Sequence, residues 1–187
     1  MNVTFIGYRC SGKSTISNKL QNMIGWKRVE IDQEIERYFQ TNIPNIILQY
    51  GWRRFRKVEK MLIKKYSQMD RMILDLGGGA ILDSQNMKNI TKNSMVIFLD
   101  CPRDEIVNRL KKSFYRPPLT ELSLEEETNQ VLTKRMPLYR KYSNYRLKTA
   151  KMSIDQCVNM SIYFIRDYKL SQTKKYSTFQ QLSMAHT

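Results

Sequence analysis

A glycine-rich segment close to the start of the chain constrains the fold more than any other stretch. Residues 7–15 read GYRCSGKST, which contains the pattern G-x-x-x-x-G-K-[ST] of loops that bind nucleotide phosphates. Residues 2–6 before it are typical of a short buried strand. Apolar side chains recur at helical spacing after it, at Ile16, Leu20, Met23 and Ile24. The order of strand, loop and helix therefore predicts a phosphate-binding loop here.

Each part of this loop has a chemical reason. Gly7 and Gly12 let the backbone curl without a Cβ in the way, so that N–H groups converge on phosphate oxygens at the positive end of a helix. Lys13 is expected to reach the β- and γ-phosphates, and the Ser14 hydroxyl to bind Mg²⁺. The alternative is a Gly–Ser turn before an ordinary helix, and we prefer the phosphate loop because its context fits. The predicted nucleotide-binding residues are Gly7, Tyr8, Arg9, Cys10, Ser11, Gly12, Lys13, Ser14 and Thr15.

Four further strand patterns alternate with helical segments along the chain. They lie at about residues 28–31, 72–76, 95–99 and 145–149. The two central runs are almost wholly apolar, as is typical of strands that are covered on both faces. This alternation predicts an α/β protein in three layers, with a five-stranded parallel sheet that binds ligands at the carboxyl ends of its strands. We expect one domain over residues 1–168.

The segment after this domain has a different composition. Residues 169–187 are rich in Gln, Ser, Thr and Lys and show no apolar periodicity. Such a segment cannot bury a regular apolar face. We therefore predict a flexible polar tail, which at most docks as a weak final turn.

Composition excludes several classes of function. Cys10, Cys101 and Cys157 are far apart and odd in number, which argues against a disulfide framework or a zinc cluster and favours a reducing cytoplasm. The single histidine is His186, so no Ser-His-Asp triad or histidine-bound metal can form in the body of the domain. No apolar run approaches membrane-spanning length, and the first strand is too short for the apolar region of a signal peptide. We expect a cytoplasmic protein without a membrane partner.

The formal net charge of +15 has two interpretations. A basic surface can bind nucleic acid. An enzyme of anionic substrates, however, also needs arginines, and many protein surfaces are rich in lysine. The sequence contains no RNA-binding signature such as a pair of strands with aromatic side chains, so we expect no nucleic-acid partner.

Two segments contain candidate residues for a second substrate. Glu30 and Asp32 lie at the end of the second predicted strand, where carboxylates can bind a substrate hydroxyl or the waters of Mg²⁺. The alternative makes Asp32 only the N-cap of the next helix. Arg56 and Glu59 are neighbours on a later helix, so Glu59 can orient a guanidinium toward a carboxylate. The alternative is a surface salt bridge of little consequence.

Further along the chain, a glycine triplet and an arginine favour a ligand site. Residues 77–79 are all glycine and directly follow the third predicted strand, which indicates a backbone that a ligand approaches closely, although a plain loop is the alternative. Ser123 and Glu126 form a capping box that begins a helix. Arg135 then shares the inward face of that helix with Val131, and an inward arginine requires an anion. Between helices, the basic, proline-bearing residues 111–119 are typical of a mobile flap.

These residues resemble the shikimate kinase family, and the resemblance extends over nearly the whole chain to about residue 165. Family members carry a loop ending G-K-S-T, an aspartate-x-aspartate followed by I-E, then G-E-x-x-F-R-x-x-E, a glycine triplet, R-P-L-L and R-x-P-L-Y. The corresponding segments here are residues 12–15, 30–36, 51–59, 77–79, 116–119 and 135–139. Ordered motifs at the family's spacing are far more specific than the phosphate loop alone. The chain departs from the family pattern at Cys10, Glu30, Trp52 and Asp75.

The resemblance implies a P-loop kinase fold with a mobile lid at about residues 111–124 and a helical substrate-binding insertion at about residues 32–62. It implies that ATP, with Mg²⁺, phosphorylates the 3-hydroxyl of shikimate. Asp32 is then the candidate base for the attacking hydroxyl, and Lys13 and Arg116 stabilise charge on the transferring phosphoryl group.

The resemblance also implies which residues bind each substrate. Arg109 lies against adenine and Arg116 contacts ATP, while Ser14 and, through water, Glu30 bind the metal. Arg56 and Arg135 bind the shikimate carboxylate, because a planar guanidinium matches a planar anion. The implied substrate-binding set is Asp32, Arg56, Glu59, Gly77, Gly78, Gly79 and Arg135.

Two alternatives remain open from the sequence. One is a related small-molecule kinase, such as a gluconate kinase or a nucleoside-monophosphate kinase. Arg56 and Arg135 disfavour a nucleotide acceptor but do not separate shikimate from other hydroxy acids. The other is a non-catalytic nucleotide-binding module that contacts nucleic acid, against which the joint presence of Lys13, Asp32 and Arg116 argues. We expect a monomer.

Overall fold

The computed structural model describes residues 1–112 and 122–184, with side chains described up to residue 173. The strands are β1 (Asn2–Ile6), β2 (Lys27–Glu30), β3 (Met72–Asp75), β4 (Ser94–Asp100) and β5 (Tyr145–Lys148). The α-helices are α1 (Lys13–Ile24), α2 (Ile31–Phe39), α3 (Ile43–Ser67), α4 (Ser84–Thr91), α5 (Arg103–Lys111), α6 (Leu124–Tyr142) and α7 (Ile154–Met184). Short 3₁₀ helices lie at Ala80–Leu82 and Thr149–Lys151. None of the helices in these ranges has both the length and the apolar composition that a bilayer crossing needs.

The strands form one parallel sheet in the order β2-β3-β1-β4-β5. The central strand β1 pairs with β3 on one side and with β4 on the other. The outer strands β2 and β5 pair with β3 and β4. Because all these pairs are parallel, the carboxyl ends of the strands lie at the same edge of the sheet, where ligands of such folds bind. The predicted five-stranded parallel sheet is confirmed.

Alternating side chains of the strands build an apolar core on each face of the sheet. Val3 and Phe5 of β1 pack in the core that includes Leu20 of α1 and Val158 of α7. Ile6 belongs to the opposite core, which contains side chains of α2, α3, α4 and α6. Both faces of the sheet are therefore covered by helices, which confirms the predicted three layers.

The ends of three helices determine where the site residues lie. Helix α1 begins directly after Gly12, whose φ of 99° favours glycine. Helix α3 is interrupted at Gly51, where φ is 70° and ψ is 167°, so its second part has its own direction. Helix α6 begins with the predicted capping box, in which Ser123 accepts from the Glu126 N–H and the Glu126 carboxylate accepts from the Ser123 N–H. The capping box is thus confirmed.

The C-terminal segment requires a correction. Helix α7 continues to Met184, past the change of composition at residue 169, where we expected no more than a weak final turn. Ile165 packs in the core and anchors the middle of the helix. The residues that follow include Lys, Gln and Leu, which are good helix formers, so helical structure continues even where Leu170 is 64% exposed. The division into a domain and a tail stays a prediction.

Candidate phosphate and acceptor site

The loop between β1 and α1 folds closely around one buried cation. Gly7 has a φ of 148°, and a Cβ added there would lie 2.8 Å from the carbonyl oxygen of Leu99, so only glycine fits. Cys10 has a φ of 60°, which is uncommon for a residue with a side chain. The buried Lys13 ammonium donates to the carbonyl oxygens of Gly7 and Tyr8, both at 3.1 Å. The loop therefore combines a central positive charge with the N-terminus of α1, as a phosphate site requires.

A cavity of about 440 Å³ opens beside this loop. Its lining is Cys10, Ser11, Gly12, Lys13, Ser14, Thr15, Ile16, Arg109, Thr149, Met152, Ile154 and Cys157. Arg109 of α5 donates to the Cys10 carbonyl at 3.1 Å and to Glu105 at 2.7 Å. The structure thus brings Arg109 next to the loop, on a side that also offers apolar surface from Met152 and Ile154. Its contact with adenine stays a prediction.

Carboxylates from two neighbouring strands lie beside the start of α1. The Ser14 hydroxyl donates to Glu30 at 3.1 Å. Asp75 lies directly opposite Glu30 in the pairing of β2 with β3, and its side chain is 3% exposed. Burial raises the pKa of Asp75 to about 6, although the Lys13 charge acts in the opposite direction. We did not select Asp75 as a site residue from the sequence, and its departure from the family pattern was the available signal.

The donor set at this point suits Mg²⁺. Hydroxyl and carboxylate oxygens are ligands that Mg²⁺ prefers, and Mg²⁺ is usually bound through one or two carboxylates together with substrate phosphates. Within residues 1–112 and 122–173, no group of three or more His, Cys, Asp or Glu side chains could bind a metal by itself. Nucleotide phosphates and water would therefore supply the remaining ligands beside Ser14 and Glu30.

The glycine triplet approaches the predicted acceptor residues closely. A Cβ added at Gly77 would overlap Oδ1 of Asp32, and one added at Gly79 would lie 2.5 Å from Nη2 of Arg56. Asp32 is in the first turn of α2, which begins at Ile31, so the alternative that Asp32 is the N-cap is wrong. The absence of side chains on the triplet lets both functional groups reach the end of β3.

The middle glycine connects the phosphate loop with α6. A Cβ added at Gly78 would lie 3.4 Å from Nη1 of Arg135 and 3.4 Å from the carbonyl oxygen of Gly7. The hydroxyl of Tyr139, one helical turn beyond Arg135, donates to the Gly78 carbonyl at 2.8 Å. Arg135 therefore points inward, as its position on the helix predicted, and lies at the same edge of the sheet as Asp32 and Arg56.

A buried carboxylate orients Arg56. Its Nη1 donates to both oxygens of Glu59, at 2.8 and 2.7 Å. Glu59 is 1% exposed, so the alternative of a surface salt bridge is wrong. Burial raises the pKa of Glu59, and the adjacent Arg56 charge opposes that rise. The two hydrogen bonds to Glu59 hold the Arg56 guanidinium in one orientation.

The structure also contains an ion pair that sequence analysis missed. Arg9 of the phosphate loop contacts Glu127 of α6, which is fully buried. The capping box located the start of α6, but no local pattern relates position 127 to position 9. The remaining predicted site residue, Arg116, lies outside the described residues, as does most of the predicted lid.

Comparisons with known proteins show which family this chain is similar to. A family model described as shikimate kinase matches residues 9–166. The shikimate kinase of Persephonella marina is 33% identical over 165 residues, which cover 88% of this chain and 99% of that protein. The shikimate kinase of Thermodesulfovibrio yellowstonii is 33% identical over 140 residues, which cover 75% of this chain and 81% of that protein.

A solved structure is similar in fold as well as in sequence. The structure of shikimate kinase from Acinetobacter baumannii in complex with shikimate superposes with a TM-score of 0.84 at 27% identity. The similarity covers 90% of this chain and 94% of that protein. The P-loop kinase architecture implied by the sequence is thereby confirmed.

The buried Asp75 generates a prediction about pH. Its pKa of about 6 lies above the ordinary value of 3.8, so the folded protein takes up a proton more readily than the unfolded chain. Ionisation of Asp75 therefore lowers the free energy of unfolding. This loss of stability develops as the pH rises from about 4 to about 6. We compare the free energy of unfolding of Asp75→Asn with that of the unmodified protein. We expect this difference to shift in favour of Asp75→Asn by about 1–3 kcal/mol when the pH is raised from 4 to 7. Chemical denaturation at both pH values measures this gain, and a difference independent of pH would contradict it.

Proposed function

The chain belongs to the shikimate kinase family, and we propose that it transfers the γ-phosphoryl group of ATP to the 3-hydroxyl of shikimate. One observation carries this assignment for the present chain. The three glycines after β3 lie against Asp32, Arg135 and Arg56, in that order. This arrangement offers one carboxylate and two guanidinium groups to an acceptor that has both hydroxyl groups and a carboxylate. The Gly7 carbonyl of the phosphate loop lies close to the same middle glycine as Arg135.

We propose that the two arginines bind the acceptor carboxylate. Arg56 is oriented by Glu59, and Arg135 lies beside the Gly78 backbone. Two guanidinium groups can make charge-assisted hydrogen bonds to one carboxylate, which favours an acid over a neutral sugar. Asp32, which lies beside Gly77, can accept a proton from the attacking hydroxyl, and the Gly77–Gly79 backbone can bind the other ring hydroxyls.

On the nucleotide side, the loop residues are proposed to bind and orient the phosphates. Backbone N–H groups at the start of α1 and the Lys13 ammonium neutralise negative charge as the phosphoryl group moves. Ser14 and, through water, Glu30 would bind Mg²⁺, which supplies further charge neutralisation on the phosphates. Arg109 would lie against adenine. By resemblance to the family, Arg116 of the lid segment would stabilise charge on the transferring phosphoryl group.

We propose the cellular location, the oligomeric state and the role of the basic surface from general features of the chain. The thiols of Cys10, Cys101 and Cys157 form no disulfide with one another, which fits a reducing cytoplasm. All groups that we assign to the reaction come from one chain, so we propose an active monomer. The basic surface is proposed to be a solvated surface with no role in binding nucleic acid.

The acceptor assignment predicts how ADP release depends on added compounds. ADP should form when ATP, Mg²⁺ and shikimate are all present, and omission of Mg²⁺ or shikimate should reduce release to the background rate. Quinate, gluconate and nucleoside monophosphates serve as the acceptor panel in a coupled ADP assay. Equal release with and without shikimate would contradict the assignment, and release that depends on gluconate or a nucleotide would favour a related kinase.

Arg135 provides a prediction that separates binding from folding. Among the residues that the structure describes, no carboxylate forms an ion pair with Arg135. Arg135→Lys retains the charge but loses the planar pair of donors, and a charge-assisted hydrogen bond contributes about 1.5–3 kcal/mol. We expect shikimate affinity to fall by about one to two orders of magnitude, with ADP affinity and melting temperature nearly unchanged.

Calorimetric titration and a thermal melt test this expectation. Arg140→Lys on the exposed side of the same helix is the matched control, and it should leave shikimate affinity unchanged. If Arg135→Lys melts at a distinctly lower temperature while shikimate affinity is retained, Arg135 has a structural role and does not bind the acceptor.

A further inference from the structure

A positively charged side chain of the protein, Arg28, lies next to the residues that we propose for Mg²⁺. Arg28 of β2 precedes Glu30 by two residues, so both side chains lie on the same face of the strand. Its guanidinium contacts the Glu30 carboxylate and lies 3.5 Å from Oδ2 of Asp75. Its Nε donates to the Ser17 hydroxyl at 2.7 Å. Arg28 is therefore held by groups from β2, β3 and α1.

The register of the sheet explains why a cation is needed here. Glu30 and Asp75 are direct partners in the pairing of β2 with β3, and two carboxylates in such positions repel each other. Their side chains are 16% and 3% exposed, so water screens the repulsion poorly. A guanidinium that reaches both groups offsets this repulsion.

The same Glu30 carboxylate also contacts the phosphate loop. One of its oxygens accepts from the Ser14 hydroxyl, while the other contacts Arg28. Ser14 and Glu30 are the residues that we propose for Mg²⁺. A divalent cation beside Glu30 would therefore approach a guanidinium that already neutralises that carboxylate, and the two positive charges repel each other.

We propose that Arg28 competes with Mg²⁺ for Glu30. In the metal-free protein Arg28 neutralises Glu30, and when the metal arrives Glu30 is released while Asp75 and Ser17 retain the guanidinium. A group that stabilises only the metal-free state lowers the apparent affinity for the metal. Arg28 is thus a positioning residue that raises the Mg²⁺ concentration at which the metal site is half occupied. The proposal rests on the proposed function, because it assumes that Mg²⁺ binds together with the nucleotide.

The competition can be measured without turnover, using Mn²⁺ as the probe. The electron paramagnetic resonance signal of free Mn²⁺ gives its dissociation constant for the full chain saturated with ADP. We expect Arg28→Met to bind Mn²⁺ about tenfold more tightly than the unmodified protein, within the usual range of coupled equilibria. Arg28→Gln, which retains donors without the charge, should also bind more tightly. Arg28→Lys should resemble the unmodified protein.

The opposite edge of the sheet provides a matched control. Arg146 on β5 pairs with Phe98 and contacts Asp100, which lies two positions further along β4. Arg28 on β2 has the same relation to Ile73 and Asp75 on β3. Arg146→Met therefore removes a similar cross-strand contact away from the metal side, and it should leave Mn²⁺ affinity unchanged.

A thermal melt distinguishes the proposal from a purely structural role. Arg28→Met should melt at a lower temperature without metal, and Mg²⁺ with ADP should raise that temperature more than in the unmodified protein. If the variants lose stability to the same extent with and without Mg²⁺ and ADP, and Mn²⁺ affinity is unchanged, the inference is overturned. If the unmodified protein with ADP binds no Mn²⁺, the metal role in the proposed function fails instead.

Discussion

The site depends on three successive residues that have no side chain. The triplet at residues 77–79 follows β3, next to the central strand of the sheet, and functional groups reach it from three helices. Asp32 comes from α2, Arg56 from α3 and Arg135 from α6, while the Gly7 carbonyl approaches from the phosphate loop. A side chain at Gly77 would occupy the space of the Asp32 carboxylate, and one at Gly79 would occupy the space of the Arg56 guanidinium. The close approach of Asp32 and Arg56 to the end of β3 therefore follows from the missing Cβ atoms of Gly77 and Gly79.

Carboxylates with little exposed area contact three arginines near the carboxyl ends of the strands. Glu59 contacts Arg56, Glu127 contacts Arg9, and Asp75 together with Glu30 contacts Arg28. Buried ion pairs are weak evidence for stability, because desolvation of both charges offsets their attraction. Their effect here is to fix the directions of the Arg9, Arg28 and Arg56 guanidinium groups.

The sequence was sufficient for the local features and insufficient for contacts between distant segments. Strand patterns predicted all five strands, the pattern at residues 7–15 predicted the loop, and the apolar spacing after it predicted the helix. The pairing of Glu30 with Asp75 was not predictable from residue patterns, because it requires that β2 lie beside β3. The contact between Arg9 and Glu127 likewise depends on how α6 packs. The helical continuation beyond residue 169 was missed because apolar periodicity reports burial, whereas an exposed helical extension needs only helix-forming residues.

Calorimetric titration of Gly79→Ala with shikimate tests the role of the triplet most directly. Gly79 has φ of −94° and ψ of −11°, a conformation that alanine adopts readily, so the substitution introduces no backbone strain. Its new Cβ would lie 2.5 Å from Nη2 of Arg56 and must displace that guanidinium. The account predicts that shikimate affinity falls by about tenfold or more, with ADP affinity and melting temperature unchanged. Unchanged shikimate affinity in a normally folded Gly79→Ala protein would contradict it.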